Sequence, residues 1–170
     1  MMAEASSVDR QNIGIAIDGC GVPTFELPLS AFARAFARLA RPESMPEPHC
    51  RSAERVRNAM VSNPGMVAGE GRFDTRLMEA CEGRILAKAG AEACQGLALL
   101  DRGWGIALKI DDGGSRAVAV TALEVLRQLG ALTEREIDAL ADVALPPVRN
   151  YRDEVVGEAR PIVELRPGDR

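Results

Sequence analysis

A single histidine, His49, stands among 170 residues, and that scarcity removes most Ser-His and Cys-His mechanisms at the outset. Aromatic residues are few, at 4%, so the core has to be filled by Ala, Val, Leu and Ile. Lysine is nearly missing: Lys88 and Lys109 are the only two, and every other side-chain cation except His49 is an arginine. Positive charge is not in excess either. The formal net charge of -4 argues against a nucleic-acid or anionic-membrane partner, because phosphate binding needs a basic surface. No apolar run approaches the roughly 20 residues a membrane span requires. The opening MMAEASSVDRQN has no apolar stretch of the kind that starts a secretory leader, which leads to the expectation of a cytoplasmic protein with reduced thiols. The four cysteines, Cys20, Cys50, Cys81 and Cys94, show no C-x-x-C spacing, so neither a zinc finger nor a redox motif can be written from them alone.

What is present suffices for one globular domain with a real core: 46% of the residues are apolar and 27% are charged. Residues 1–11 are polar and expected to fray. Ile13 to Ile17 read as a short strand running into the tight turn Asp18-Gly-Cys-Gly-Val-Pro23, which presents a thiol and several backbone N–H groups. Phe32, Phe36 and Leu39 recur at helical spacing after a candidate cap at Ser30, with Arg34 and Arg38 on the opposite side. The three prolines within 41–51 predict an exposed loop. A second amphipathic helix is expected over Ser52 to Ser62, with Val56, Ala59 and Met60 inward. The glycine-rich stretch 67–75 is expected to end in a helix cap at Asp74 or Thr75. From Arg84 the period becomes that of a strand, and Gly96 to Leu100 and Gly105 to Ile110 flank a hairpin turn. A helix over 116–129, capped by Ser115, and another opened by the capping box Thr133-Glu-Arg-Glu136 follow. Val155 and Val156 sit in a final strand before a charged tail at 162–170. The expected fold class is α+β, a layered antiparallel sheet with packed helices.

Five groups of residues are candidates for chemistry. Lys88, inside Ile85-Leu-Ala-Lys-Ala-Gly90, is either an edge-strand lysine that discourages sheet-to-sheet aggregation or a K-x-G element facing an active-site serine, as the K-T-G strand of penicillin-binding folds does. In the second role its ammonium lowers the serine's pKa, or the desolvated amine shuttles a proton. Cys20 is either a small buried hydrophobe or a sulfur displayed by the Gly-Cys-Gly turn beside Asp18; one soft ligand does not define a zinc site, which needs about four. Glu70, Arg72 and Asp74 form a charged cluster between glycines, read either as a solvated loop face or as substrate-facing. Asp111 and Asp112 read as cap residues, and His49 as an exposed loop residue.

The strings Asp18-Gly-Cys-Gly-Val-Pro-Thr-Phe25, Leu29 to Ala40, and Val67-Ala-Gly-Glu-Gly-Arg-Phe-Asp-Thr75 together resemble the bacterial L-asparaginase II family. Leu86 to Glu92, Gly105 to Gly113 and Val155 to Pro161 continue the likeness in order, so that it spans about residues 12–161. The resemblance implies a serine β-lactamase-like fold and hydrolysis of L-asparagine, or a similar small amide, to L-aspartate and ammonia. It also implies two serine-lysine pairs beside a zinc ion held by two cysteines and a lysine. By the same resemblance Cys20 matches a zinc-ligand cysteine and Lys88 the lysine that pairs with the second serine. Asp18 faces the substrate pocket, and Gly90, closing the family's Lys-Gly-Gly, lets backbone approach substrate. No S-x-x-K occurs in this chain, and Ala89 replaces the middle residue of Lys-Gly-Gly. The expectation is therefore a C-terminal half that needs an N-terminal serine-lysine half to complete the site and its zinc, with that half or a second copy of the chain in a homo-oligomer as the expected partner. A non-catalytic remnant or binding module of the same fold is the alternative.

Overall fold

The computed structural model describes residues 1–166 and 168. In chain order the elements are α1 (Met2–Ser6), β1 (Gly14–Ile17), β2 (Pro23–Glu26), α2 (Leu29–Ala40), α3 (His49–Ser62), α4 (Pro64–Ala68), α5 (Phe73–Ala80), β3 (Ile85–Gly90), β4 (Cys94–Leu99), β5 (Trp104–Lys109), α6 (Val118–Gln128), α7 (Glu134–Ala139), α8 (Ala141–Ala144), β6 (Pro147–Arg149) and β7 (Val155–Glu158). The architecture is α+β, with small antiparallel sheets and packed helices. The central sheet has the order β3-β4-β5 and both its pairings are antiparallel, in the expected positions.

Both faces of this sheet are covered, which is why the expected alternation fails along β3. Ile85, Leu86 and Ala87 are all fully buried. On one face α2 lies unusually close. A Cβ built on Gly105 would overlap the Ala33 carbonyl oxygen and the Ala37 amide nitrogen, and one on Gly96 would enter the Phe36 ring. Glycine at these two positions lets a helix of small and aromatic residues sit directly on the strands. Phe32 meets Phe36 edge to face at 5.2 Å between centroids, filling the end of that layer. On the other face Leu77 and Met78 of α5 and Leu123 and Leu126 of α6 complete the main core with Leu97 and Leu99.

Arginines tie the outer helices to this centre. Arg84 reaches both carboxylate oxygens of Glu136, at 2.6 and 2.8 Å, and also Asp101 at 3.1 Å. Arg76 forks onto Asp142 at 2.8 and 2.7 Å, and Arg102 donates to the Leu129 carbonyl. The capping box at Thr133 and Glu136 forms as expected. Burial pushes the Glu136 carboxyl up, but hydrogen bonds from Thr133 and Arg84 outweigh it and hold the group below its ordinary value.

Several local expectations are corrected. The N-terminus is not frayed at 2–6: α1 packs beside α2, where Arg34 donates to the Ser6 carbonyl at 2.9 Å and Arg38 to the Ser7 hydroxyl at 2.7 Å. Loop 41–51 holds a 3-10 turn at Pro42–Ser44 with Pro42 and Met45 buried, and α3 begins already at His49. His49 is half-buried and contacts Glu4 through Nδ1. In α3 the fully buried residue is Ala53, whereas Val56 and Ala59 are exposed. Ser30 and Ser115 cap nothing, and Asp74 and Thr75 lie buried inside α5 rather than at its cap. The last helical stretch breaks at Leu140 into α7 and α8. Two strands were not foreseen, β2 and β6. Each makes a two-stranded hairpin with β1 or β7, in which nearly every residue is exposed.

Two outcomes follow from this packing. Gly105→Ala should cost about 3 kcal/mol in urea unfolding, because helix backbone cannot step aside; Gly157→Ala, with open space around it, should stay within about 0.5 kcal/mol of the parent. Equal midpoints would remove the close approach of α2 as a constraint. Because Glu136 has a lowered pKa when folded, its stabilisation is complete above the ordinary glutamate range and is lost as pH falls through and below it. Glu136→Gln should therefore flatten the acid limb of a stability-against-pH curve, and an unchanged limb would contradict the pairing.

Candidate functional site

Two cavities adjoin at the end of the β3–β4 hairpin. The first, of about 850 Å³, is mainly apolar and runs under α2 between Phe25, Phe32, Phe36 and Val56. The second, of about 690 Å³, is polar and lies at the free edge of β3. Gly90, Glu92 and Cys94 line both.

Lys88 sits exposed on the edge strand β3, opposite Gly96 in register, and is among the residues that line the polar cavity. Its ammonium donates to the neighbouring Ala89 carbonyl and has no carboxylate within ion-pairing distance among the described residues. Gly90 closes the same strand with Cys94 as its partner, and a Cβ there would stand 3.2 Å from that of Cys94. Asp18 opens the β1–β2 turn and lines the apolar cleft; its Oδ1 accepts from the Gly19 amide at 2.7 Å. Cys20 is exposed at the same turn, its sulfur 3.7 Å from Asp18 Oδ2, and lines neither cavity. The fold thus joins Lys88 and Gly90 on one cavity, and Gly90 and Asp18 on its neighbour, with Cys20 one turn beyond.

The edge strand is fixed from α5. Asp74, 2% exposed, accepts from the Ala89 amide at 2.6 Å and from Gln95 Nε2 at 3.0 Å. Its neighbour Thr75 donates to the carbonyls of Gly69 and Pro64, at 2.7 and 3.1 Å, and so fastens the glycine-rich loop. Arg72 follows that loop into the polar cavity. Sequence reasoning noted the Glu70, Arg72 and Asp74 cluster without separating its members. Glu70 is solvated, Asp74 is structural and Arg72 lines the cavity. Glu92 and Gln95, which also line it, carried no sequence signal, and the signal at Ser115, a third lining residue, was only that of a helix cap.

Metal chemistry finds little purchase in these residues alone. No group of three or more His, Cys, Asp or Glu side chains among the described residues is arranged to hold an ion. Cys20 and Asp18 together fall short of the four ligands zinc takes.

The L-asparaginase II family matches residues 1–161. The chain belongs to the L-asparaginase II family. None of the curated proteins matches the chain. No helix among the described residues is long and apolar enough to cross a membrane. The asparaginase-family chain holds its four thiols unpaired, in contrasting surroundings. Burial pushes the Cys81 thiol up to about 12, while Cys20 is exposed. Since the thiolate is the reactive species, iodoacetamide should modify Cys20 in the folded protein and reach Cys81 only after unfolding. Peptide mass spectrometry showing Cys81 alkylated first would contradict the burial of α5 against the sheet.

Proposed function

We propose that this chain supplies the lysine-bearing part of an amide-hydrolase site of the asparaginase type, acting on L-asparagine or a similar small amide. The single observation that carries the reading is the opening of Lys88 and Gly90, on the free edge of β3, onto a polar cavity in a chain of the L-asparaginase II family. In this reading Lys88, as an exposed ammonium, lowers the pKa of a serine hydroxyl brought in by an S-x-x-K segment. Gly90 leaves room for substrate beside the strand, and Asp18 faces the substrate from the adjoining cleft. The serine oxygen gives up its proton and adds to the side-chain amide carbon. The C–N bond breaks as that proton passes to the leaving nitrogen to give ammonia, and water then cleaves the acyl ester to release the acid and regenerate the serine hydroxyl. Cys20 would contribute one thiolate to a zinc ion whose other ligands come with the same segment, and no bond-making step in this reading runs through that ion.

The chain provides no S-x-x-K, so the serine-bearing half is the partner in this reading. Ile15, Ile17, Val22 and Phe25 of the β1–β2 hairpin are exposed beside the apolar cleft and give that half an apolar surface to cover. The layered antiparallel core with helices on both faces is compatible with one portion of a serine β-lactamase-like fold.

The test is ammonia release. Alone, with zinc present, the chain should hydrolyse no asparagine above background, because an ammonium that activates a serine does nothing without that nucleophile. Mixed with a family half carrying S-x-x-K, it should turn over asparagine, and Lys88→Met should abolish turnover while the complex still forms. Robust hydrolysis by the chain alone would falsify the division of labour. A complex that forms but stays inactive would favour the non-catalytic binding module.

A further inference from the structure

The polar cavity is lined by three charged groups that make no ion pair among the described residues. Eleven arginines stand within ion-pairing distance of a carboxylate. Among the described residues Arg72, Lys88 and Glu92 are not in that network, although all three line one cavity. The fourth charge there, Asp74, has both oxygens engaged by Ala89 and Gln95. Gln95 is fully buried, and its Oε1 accepts no hydrogen bond.

Each of the three groups is held in place by backbone rather than by a counter-charge. Arg72 follows the loop that Thr75 fastens through Gly69 and Pro64. Lys88 precedes the Ala89 amide that Asp74 grips. Asp74 and Thr75 are consecutive residues in the first turn of α5, so one helical turn sets both cations. Glu92 lies in the β3–β4 turn, where Glu92 and Ala93 both take left-handed backbone, at φ 54° and 55°. Two such residues in succession cost roughly 1–3 kcal/mol each, a strain found where a chain must present a particular side chain. The carboxylate of Glu92 is also near the Asp111–Ser115 turn, since a Cβ on Gly113 would come within 2.6 Å of its Oε2.

Two cations and one carboxylate left unpaired around a cavity complement a small molecule carrying both charges. We propose that this cavity reads the free α-amino-acid zwitterion, with Arg72 and Lys88 taking its carboxylate and Glu92 its ammonium. Gln95 Oε1 is the acceptor nearest to hand for a further N–H of the ligand. The inference rests on the amide-hydrolase reading only for the identity of the amino acid; recognition of the zwitterion belongs to this chain alone. Arg72 and Glu92 are specificity-determining residues here and perform no bond-making step.

Equilibrium binding to the unaided chain tests this, followed by amide chemical shifts in NMR. L-Asparagine and L-aspartate should give saturable shifts at Gly71, Arg72, Lys88 and Glu92. Succinate and N-acetyl-L-asparagine lack the ammonium and should bind about tenfold more weakly, the loss typical of one charge-assisted hydrogen bond. Arg72→Gln and Glu92→Gln should each weaken asparagine by about tenfold with unchanged circular dichroism, while Arg135→Gln, away from the cavity, should not. Glu92→Gln should also reduce the preference for asparagine over its N-acetyl derivative. The proposal is overturned if asparagine gives no saturable shift at roughly 10 mM, if butyramide binds as well as asparagine, or if Arg72→Gln binds like the parent. Binding without any hydrolysis in the reconstituted mixture would sustain this inference and sink the catalytic one; hydrolysis with an unaffected Arg72→Gln would do the reverse.

Discussion

The contact on which the rest of the molecule depends is that of the α2 backbone with the sheet at Gly105. A three-stranded sheet of six-residue strands lies near the lower limit of independent stability and depends on what packs against its faces. It becomes a core because α2 settles onto one face with only hydrogens between helix and strand, while α5 and α6 close the other. Gly96 extends the same seam by accepting the Phe36 ring. With few aromatic side chains available, close backbone approach substitutes for bulk, and leucine and alanine suffice to fill the remainder.

The near-absence of lysine takes on meaning in this setting. Guanidinium groups present planar forks that hold two acceptors at once, which a compact ammonium cannot do. Arg84 gathers Glu136 and Asp101 from opposite sides, and Arg76 closes α5 against α8. These bridges join elements that are far apart along the chain. Exposed pairs of this kind contribute little individually, but the Arg84 group also supplies a counter-charge to a buried carboxylate that otherwise has only the hydrogen bonds of its capping box.

Where the residue pattern was governed by local rules, the sequence was readable. The central strands, the body of α2 and the Thr133 capping box were all legible because periodicity and cap chemistry decide them. β2 and β6 were not, since strands exposed along their length need no apolar alternation. Val56 was expected inward, yet α3 turns Ala53 to the core instead, a choice made by the neighbouring elements rather than by α3 itself. Asp74 and Thr75 have the side chains of cap residues, and only the surrounding loop and strand make them buried anchors. At the candidate site Lys88, Gly90, Asp18 and Cys20 could be singled out through family likeness. Arg72 and Glu92 join Lys88 only once a loop, a turn and an edge strand converge, an arrangement that no spacing along the chain encodes.

The adjacency of Asp74 and Thr75 has a mechanical corollary. A glycine-rich loop and a sheet edge are ordinarily independent parts, each free to shift on its own schedule. Here both are bolted to successive residues of one rigid helical turn, so their displacements are correlated. A force applied to the loop at Arg72 is delivered to the strand bearing Lys88 without any conducting path through the cavity between them. Widening the gap requires breaking a hydrogen bond to a buried polar group, which costs about 1–3 kcal/mol. The mouth of the polar cavity therefore behaves as a caliper of nearly fixed gauge.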